Sequence, residues 1–333
     1  MTKTIWILSD GKAGHLSQTR GLAVALQAQT PATVREVDLS GKGFWEKLGV
    51  VWREGSEVGG RRSEIRDTTA EKGQPDFIIA AGHGMHLPLL LAGLLFRKTK
   101  TVLCMKPSLP MKWFDFCIVP RHDLRPTLLS HPPAHVIPTI GALHGVHPHP
   151  ERPKTHTLIL IGGPSKEYGW NEAQLLEQLS TVSSWQLAED GSQRTEDKTE
   201  AQFLLTTSRR TPESFVEALR QACPQIEVVP VEETPRGWVA EKLAASRAVW
   251  VTQDSVSMIY ESLGSGAPVG LLRMPLLDQG KTTRVMRGIQ FLEQEGWVTP
   301  FEAWKQKRVL ASKGALVEVD RVAKVLVEAT RCQ

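Results

Sequence analysis

The chain has 333 residues, 41% hydrophobic and 23% charged, a globular composition that excludes a disordered protein and a length that favours two domains over one. Forty basic residues against 36 acidic ones leave a net charge of only +4, too balanced to coat nucleic acid on charge alone, so no nucleic-acid partner is expected. The longest apolar run, residues 87–96, contains Pro88 and falls well short of the roughly 20 residues that span a bilayer.

The first residues pass from a short apolar segment into a polar loop with no small-residue cleavage site. A cytoplasmic chain is expected, with peripheral contact at the inner face of a membrane as the alternative. Cysteines at 104, 117, 223 and 332 make no CxxC pair and read as reduced thiols, Cys104 and Cys117 within apolar, strand-like runs.

Short runs of branched apolar residues alternate with longer amphipathic stretches. They fall at 4–8, 33–39, 76–81, 101–105 and 116–119, then at 157–161, 202–207, 226–231, 248–252 and 268–272. The alternation predicts parallel β/α units, and runs apolar on both faces predict sheets covered by helices on both sides. The expected fold class is α/β with two Rossmann-like parallel-sheet domains, 1–148 and 154–333. The last helices are candidates to pack back on the first domain. Between the domains, His147 to Pro153 holds three prolines in seven residues, which forbids helix and central strand. Residues 53–74, charged and poor in large apolar side chains, predict a mobile surface excursion.

The first run ends in Ser-Asp-Gly-Lys-Ala-Gly-His, Ser9 to His15, before a helix-like stretch. Gly11 and Gly14 in a loop feeding a helix expose N–H groups suited to a phosphate; a plain β–α turn uses the same glycines. The G-x-x-G spacing fits neither the dinucleotide fingerprint nor a Walker A loop, so no NAD, ATP or other cofactor is expected. His15 is a candidate general base towards a hydroxyl. Asp10, with Asp278, is a carboxylate that can face a sugar. A second glycine turn brings His83 and His86, whose i,i+3 spacing without an HExxH or Cys/His array predicts no metal site.

In the second half, Gly162, Gly163, Pro164, Ser165 and Lys166 follow a strand. Amides there, with Ser165 and Lys166, suit a pyrophosphate, although a tight Gly-Pro turn needs no ligand. Arg209 or Arg210 can make bidentate diphosphate contacts. Further on, a strand ends at Thr252, Asp254 or Ser255 caps a helix, and Ser257 lies in its first turn. Glu261, one turn deeper on the same face, is placed to accept two ribose hydroxyls from a buried position. Pure capping explains the same residues.

Four segments, SDGKAGHLSQTRGLA, IGGPSKEYGW, TTSRRTP and TQDSVSMIYESLGSGAPV, lie within residues 9–269. Together they resemble the plant elongated-mitochondria fission family and its bacterial relatives, described as nucleoside-diphosphate-sugar epimerase-like. The last segment also resembles the nucleotide-binding half of GT-B glycosyltransferases. The resemblance implies a GT-B fold whose domains face a central cleft, with a nucleoside-diphosphate sugar or related phosphate ligand in it and the donor site in the second domain. It carries Gly162, Gly163 and Ser165 onto the family's glycine turn, and Ser255, Ser257 and Glu261 onto its capped helix. Asp278 and Gln279 are similar to the acidic–amide pair that contacts the donor sugar. Metal-independent glycosyl transfer is the implied activity, with nucleotide-sugar epimerisation or hydrolysis as one alternative. The other is a non-catalytic, membrane-associated scaffold. It would use the basic C-terminal region, with ten Lys/Arg against six Asp/Glu in 281–333, and exposed tryptophans such as Trp297 and Trp304 against lipid headgroups.

Overall fold

The computed structural model describes residues 2–59, 74–190, 202–278, 280 and 282–331. The chain divides into two compact units: Met1–Gly145 together with Val317–Gln333, and Val146–Leu316.

Unit 1 begins with β1 (Lys3–Ser9), α1 (Ala13–Gln29), β2 (Ala32–Asp38), α2 (Phe44–Gly59), β3 (Phe77–Ala81) and α3 (His86–Leu95). It continues with β4 (Lys100–Cys104), β5 (Phe116–Pro120), α4 (Pro126–Ser130) and β6 (Val136–Thr139). Its six strands form one parallel sheet in the order β2-β1-β3-β4-β5-β6. Every residue of β3 and β5 is buried, as a parallel strand covered on both faces requires. Alternation then sorts the side chains. Ile5 and Ile7 meet Leu22 and Leu26 of α1 on one face, and Trp6 and Leu8 join Leu89 and Phe96 on the other.

Unit 2 holds β7 (His156–Leu160), α5 (Glu172–Asp190), β8 (Phe203–Thr206), α6 (Glu213–Ala222), β9 (Ile226–Val229) and α7 (Trp238–Ala244). There follow β10 (Ser246–Thr252), α8 (Val256–Gly264), β11 (Val269–Leu272), α9 (Arg284–Gln294), β12 (Thr299–Pro300) and α10 (Phe301–Lys307). These strands also form one parallel six-stranded sheet, in the order β12-β11-β10-β7-β8-β9.

The final helix, α11 (Glu318–Arg331), belongs to unit 1. Val319, Val322, Ala323, Leu326 and Val327 form an i, i+3, i+4, i+7, i+8 stripe that is buried with Leu22 and Leu26 of α1. Each large aliphatic side chain so covered contributes about 1.5–3 kcal/mol relative to exposure. The Glu318 carboxylate fixes the start of the helix by accepting the Ile140 N–H at 3.0 Å.

All ten runs read as strands are strands, within a residue or two at the ends. The stretch expected to be irregular from residue 53 begins as helix, because α2 continues to Gly59; residues 60–73 lie outside the described ones. The expectation of an exposed C-terminal tryptophan at 304 is corrected. Trp304 is only 4% exposed, packed edge-on against Trp250 at 5.0 Å, and the Arg308 guanidinium sits 4.7 Å from its ring and 4.8 Å from that of Trp185. Trp297 is half-buried, with the Lys313 ammonium 5.5 Å from its ring. These cations stack on the aromatic rings of their own unit, which is more favourable than presenting both to water. Among the described residues no helix is long and apolar enough to cross a membrane. Cys104, Cys117 and Cys223 are buried free thiols, and burial pushes Cys104 and Cys117 up to about 12.

Candidate functional site

In unit 2 the loops after β7, β8 and β10 meet at the carboxyl edge of the sheet. Gly162 and Gly163 let the chain pass close by: a Cβ on Gly162 would collide with the Asp254 carboxylate, and one on Gly163 with the Arg210 carbonyl. Both amides have protein acceptors. Gly162 N donates to Thr252 Oγ1 at 2.8 Å and Gly163 N to Asp254 Oδ2 at 3.0 Å. Arg210 Nη2 donates to the same Oδ2 at 2.7 Å and to Ser255 Oγ at 3.1 Å, while its Nη1 donates to the Gly163 and Pro164 carbonyls, each at 3.0 Å. The Asp254 side chain is fully buried and that of Arg210 is 43% exposed. Ser165 is also engaged within its own turn, its Oγ accepting from Glu167 N and Tyr168 N.

The helix cap differs from expectation. Ser255 occupies the N-cap of α8, but its side chain makes no capping bond; its hydroxyl donates to Asp254 Oδ2 at 3.2 Å and accepts from Arg210. Asp254 is drawn to Arg210 and Gly163 and does not cap either. The first bond of the helix closes from Ile259 N to the Ser255 carbonyl, so the amides of Val256, Ser257 and Met258 precede it without an intrahelical acceptor. Ser257 in that turn is exposed, and so is Arg209. Glu261 lies one turn further and is half-buried, not buried, because α8 shows its 257–261 edge to the surface. Asp278 is exposed, with Oδ1 accepting from Gly280 N at 2.9 Å; Gln279 lies outside the described residues.

A cavity of about 420 Å³ opens in the same unit, lined by Tyr168, Gln174, Gln253, Arg273, Met286 and Glu293 among others. Burial pushes the Tyr168 hydroxyl up to about 12, helped by the Glu293, Asp254 and Glu167 carboxylates. Burial also raises Glu293, against a hydrogen bond from Gln253 that lowers it. None of these was singled out in the sequence. Tyr168 and Gln253 sit inside conspicuous motifs, whereas the α9 residues have no local signal. A larger cavity, about 500 Å³, involves Thr155 and His156 at the start of β7 with Trp238, Glu241 and Lys242, away from the glycine turn and the α8 terminus.

In unit 1 the corresponding edge carries Asp10 and His15. His15 lies in the first turn of α1, and its Nδ1 is 2.9 Å from Asp10 Oδ2. Asp10 Oδ1 accepts the Lys12 N–H at 3.2 Å. A carboxylate opposite Nδ1 favours the neutral tautomer that carries its proton on Nδ1 and its lone pair on Nε2. Gly11 (φ +77°) makes the turn that permits this, its N–H donating to Ser9 Oγ at 3.1 Å. Gly14 offers its carbonyl to Gln18 Nε2 at 3.2 Å. The His15 ring lies close to Gly82 (φ +92°), where a Cβ would strike it. On that loop His83 Nδ1 is 3.1 Å and His86 Nδ1 3.3 Å from Ser108 Oγ.

The profile of the family described as Mitochondrial fission ELM1 matches residues 13–330. A Rickettsia prowazekii (strain Madrid E) protein, RP120, itself uncharacterised, is 25% identical over 311 residues, spanning 81% of this chain and 83% of the relative. A Listeria monocytogenes crystal structure assigned as a UDP-N-acetylglucosamine 2-epimerase covers 100% of this chain and 98% of its own at 13% identity, with a TM-score of 0.59. That is a likeness of fold. The Acinetobacter baumannii MurG structure aligns over 98% of this chain at 10% identity and TM-score 0.47. The two-sheet architecture is the GT-B one.

Proposed function

The chain belongs to the mitochondrial fission ELM1 family, and from that premise we propose that it is a nucleotide-sugar-dependent glycosyltransferase whose unit 2 binds the nucleoside diphosphate and whose unit 1 supplies the base. The observation that carries the reading is the N-cap serine that does not cap. Ser255 is held by Asp254 and Arg210, which leaves the first-turn amides of α8 open beside the exposed Ser257 and Arg209. An open helix N-terminus concentrates partial positive charge and N–H donors, the chemistry that receives a diphosphate.

The step follows from the groups present. An acceptor hydroxyl attacks the anomeric carbon while His15 Nε2 takes its proton, and Asp10 stabilises the imidazolium so formed. The bond from the anomeric carbon to the diphosphate oxygen breaks with its electron pair on the leaving group, where the α8 terminus and Arg209 stabilise the growing charge. Glu261 is assigned to the ribose hydroxyls, and Asp278 with Gln279 to the sugar. Thermal melts of the full chain against UDP, GDP, ADP, CDP and dTDP test the donor half. A bound diphosphate raises the melting temperature by mass action, and Arg209→Gln should abolish the rise. No shift with any of them at millimolar concentration removes the reading.

A second reading, peripheral attachment to a membrane, is favoured by α2 and not by the C-terminal region. Trp45 and Trp52 are 80% and 59% exposed and lie seven residues apart, on one helix face. Replacing both by serine should release the protein from lipid vesicles; undiminished sedimentation with vesicles would dismiss this role for α2.

A further inference from the structure

Three segments that adjoin the proposed donor site also wall the cavity of about 420 Å³ in unit 2. Tyr168 follows the glycine turn, Gln253 stands between β10 and Asp254, and Met274 lies between β11 and Asp278. The first and last segments are stitched together. Gly169 N donates to the Pro275 carbonyl at 2.8 Å and Leu277 N to the Glu167 carbonyl at 3.0 Å, and Tyr168 forms an antiparallel bridge with Leu276. The remaining wall is α9, which brings Met286, Ile289 and Glu293. The volume falls within the roughly 300–1,000 Å³ of small-molecule sites.

Tyr168 is only 3% exposed and lines this cavity, yet among the described residues its hydroxyl has no hydrogen-bond partner. Buried hydroxyls are normally paired, so this one is an unused donor and acceptor inside a cavity. Burial first, then the Glu293, Asp254 and Glu167 carboxylates, raises it to about 12; it therefore keeps its proton to donate. Gln253 is held at both ends, its Oε1 accepting from Met274 N at 3.3 Å and its amide donating to Glu293. That single bond leaves the Glu293 carboxylate with lone pairs to accept from a ligand.

These groups discriminate between ligand types. A phosphate could accept from Tyr168 but would meet the charge of Glu293, and Arg273, the one cation on the wall among the described residues, is exposed. An ammonium could donate to Glu293 but cannot accept from Tyr168. A hydroxyl does both. Met274, Met286 and Ile289, all buried, add apolar surface for C–H groups, as small-molecule sites with a few placed polar groups do. Hydroxyls on a ring with C–H faces describe a sugar.

We propose that this cavity is a sugar subsite, with Tyr168 donating to a ring hydroxyl and Glu293 accepting from that hydroxyl or its neighbour, and that its occupant is the glycosyl group of the donor. The assignment to the donor rests on the transferase reading, because the Met274 wall runs on to Asp278; the sugar site itself does not.

Ligand-observed NMR on the full chain tests the site, with methyl glucoside, methyl galactoside, methyl mannoside and N-acetylglucosamine as probes. Tyr168→Phe should weaken the bound sugar about three- to tenfold, the loss of one neutral hydrogen bond. Glu293→Gln should weaken it about tenfold or more, the loss of a charge-assisted one. Because the Tyr168 hydroxyl has no partner in the fold to lose, the Phe variant should melt with the parent; a fall of several degrees would give the hydroxyl to the fold instead. The proposal is overturned by that fall, by no sugar binding at millimolar concentration, by unchanged binding in both variants, or by displacement of the sugar with inorganic phosphate.

Calorimetry then assigns the occupant, using whichever of UDP, GDP, ADP, CDP and dTDP shifts the melt, alone and as its hexose ester. Tyr168→Phe should weaken the nucleotide sugar and leave the bare nucleotide unchanged. Equal losses for both would put the nucleoside in the cavity, and no loss for either would detach the cavity from the donor; each overturns the assignment. Tyr168-dependent sugar binding with no nucleoside diphosphate bound would sink the donor reading and leave the sugar site standing.

Discussion

Each unit sets a carboxylate against a nitrogen base just past a central strand, Asp10 with His15 after β1 and Asp254 with Arg210 after β10, and the two pairs do different things. Asp254 is fully buried and gathers a backbone amide, a guanidinium and a hydroxyl on one oxygen. Arginine cannot give up its proton in a protein, so that pair fixes a loop and leaves α8 uncapped. Asp10 is 8% exposed and His15 22% exposed at the side chain, and an imidazole can gain and lose a proton near neutrality. In the proposed reaction the same acid-and-cation arrangement would serve a binding surface in one unit and a proton acceptor in the other.

The contrast breaks most visibly at His15. His15→Ala should lower turnover of the nucleotide sugar by about 10²–10⁴-fold while UDP binding by calorimetry stays at the parent value. Intact turnover would reduce the Asp10–His15 pair to a structural contact like its counterpart. Asp254→Ala should act in the opposite sense, chiefly on folding. Breaking a fully buried ion pair costs about 3–5 kcal/mol, but Arg210 is 43% exposed and can rehydrate. A loss of about 2–3 kcal/mol in urea unfolding is expected, mostly from the stranded Gly163 amide. A loss below about 0.5 kcal/mol would mean that the pair does not organise the loop.

Smaller effects sharpen the comparison. Glu261→Gln should weaken nucleoside diphosphate binding by about 2 kcal/mol, as removal of a charged acceptor does, with much less effect on the deoxyribose analogue. Equal losses for both sugars would take Glu261 off the ribose. The smallest effect concerns His86, whose folded pKa is depressed by burial. A depressed histidine binds protons better in the unfolded chain, so its contribution is complete above the ordinary value of 6.5 and is lost as pH falls below it. The melting temperature should fall between pH 7 and pH 5, and His86→Asn should flatten that slope.

The sheets were legible because parallel strands covered on both faces are nearly continuous apolar runs. β6 escaped notice for two local reasons: it is an edge strand and it contains Pro138, which a central strand would not tolerate. β12, two residues long, has no pattern to read. Asp10 and His15 were each visible within one short motif, but the sequence sets Asp10 beside Asp278, and only the folded turn brings it to His15 Nδ1. The Asp254 arrangement was not visible, since its partners lie 44 and 91 residues away and only the pairing of β7 with β8 and β10 unites them. That long-range contact is why Ser255, a residue ideally suited to capping, does not cap.

The return of the chain to unit 1 has a consequence for biosynthesis. Residues 317–331 complete the cover of α1, yet the ribosome makes all of 146–316 before it reaches them. At about 5–20 residues per second that delay is roughly 10–30 s, during which Leu22 and Leu26 await the helix that buries them. Unit 2 can therefore mature first, on the nascent chain, before the helix that covers α1 has been made.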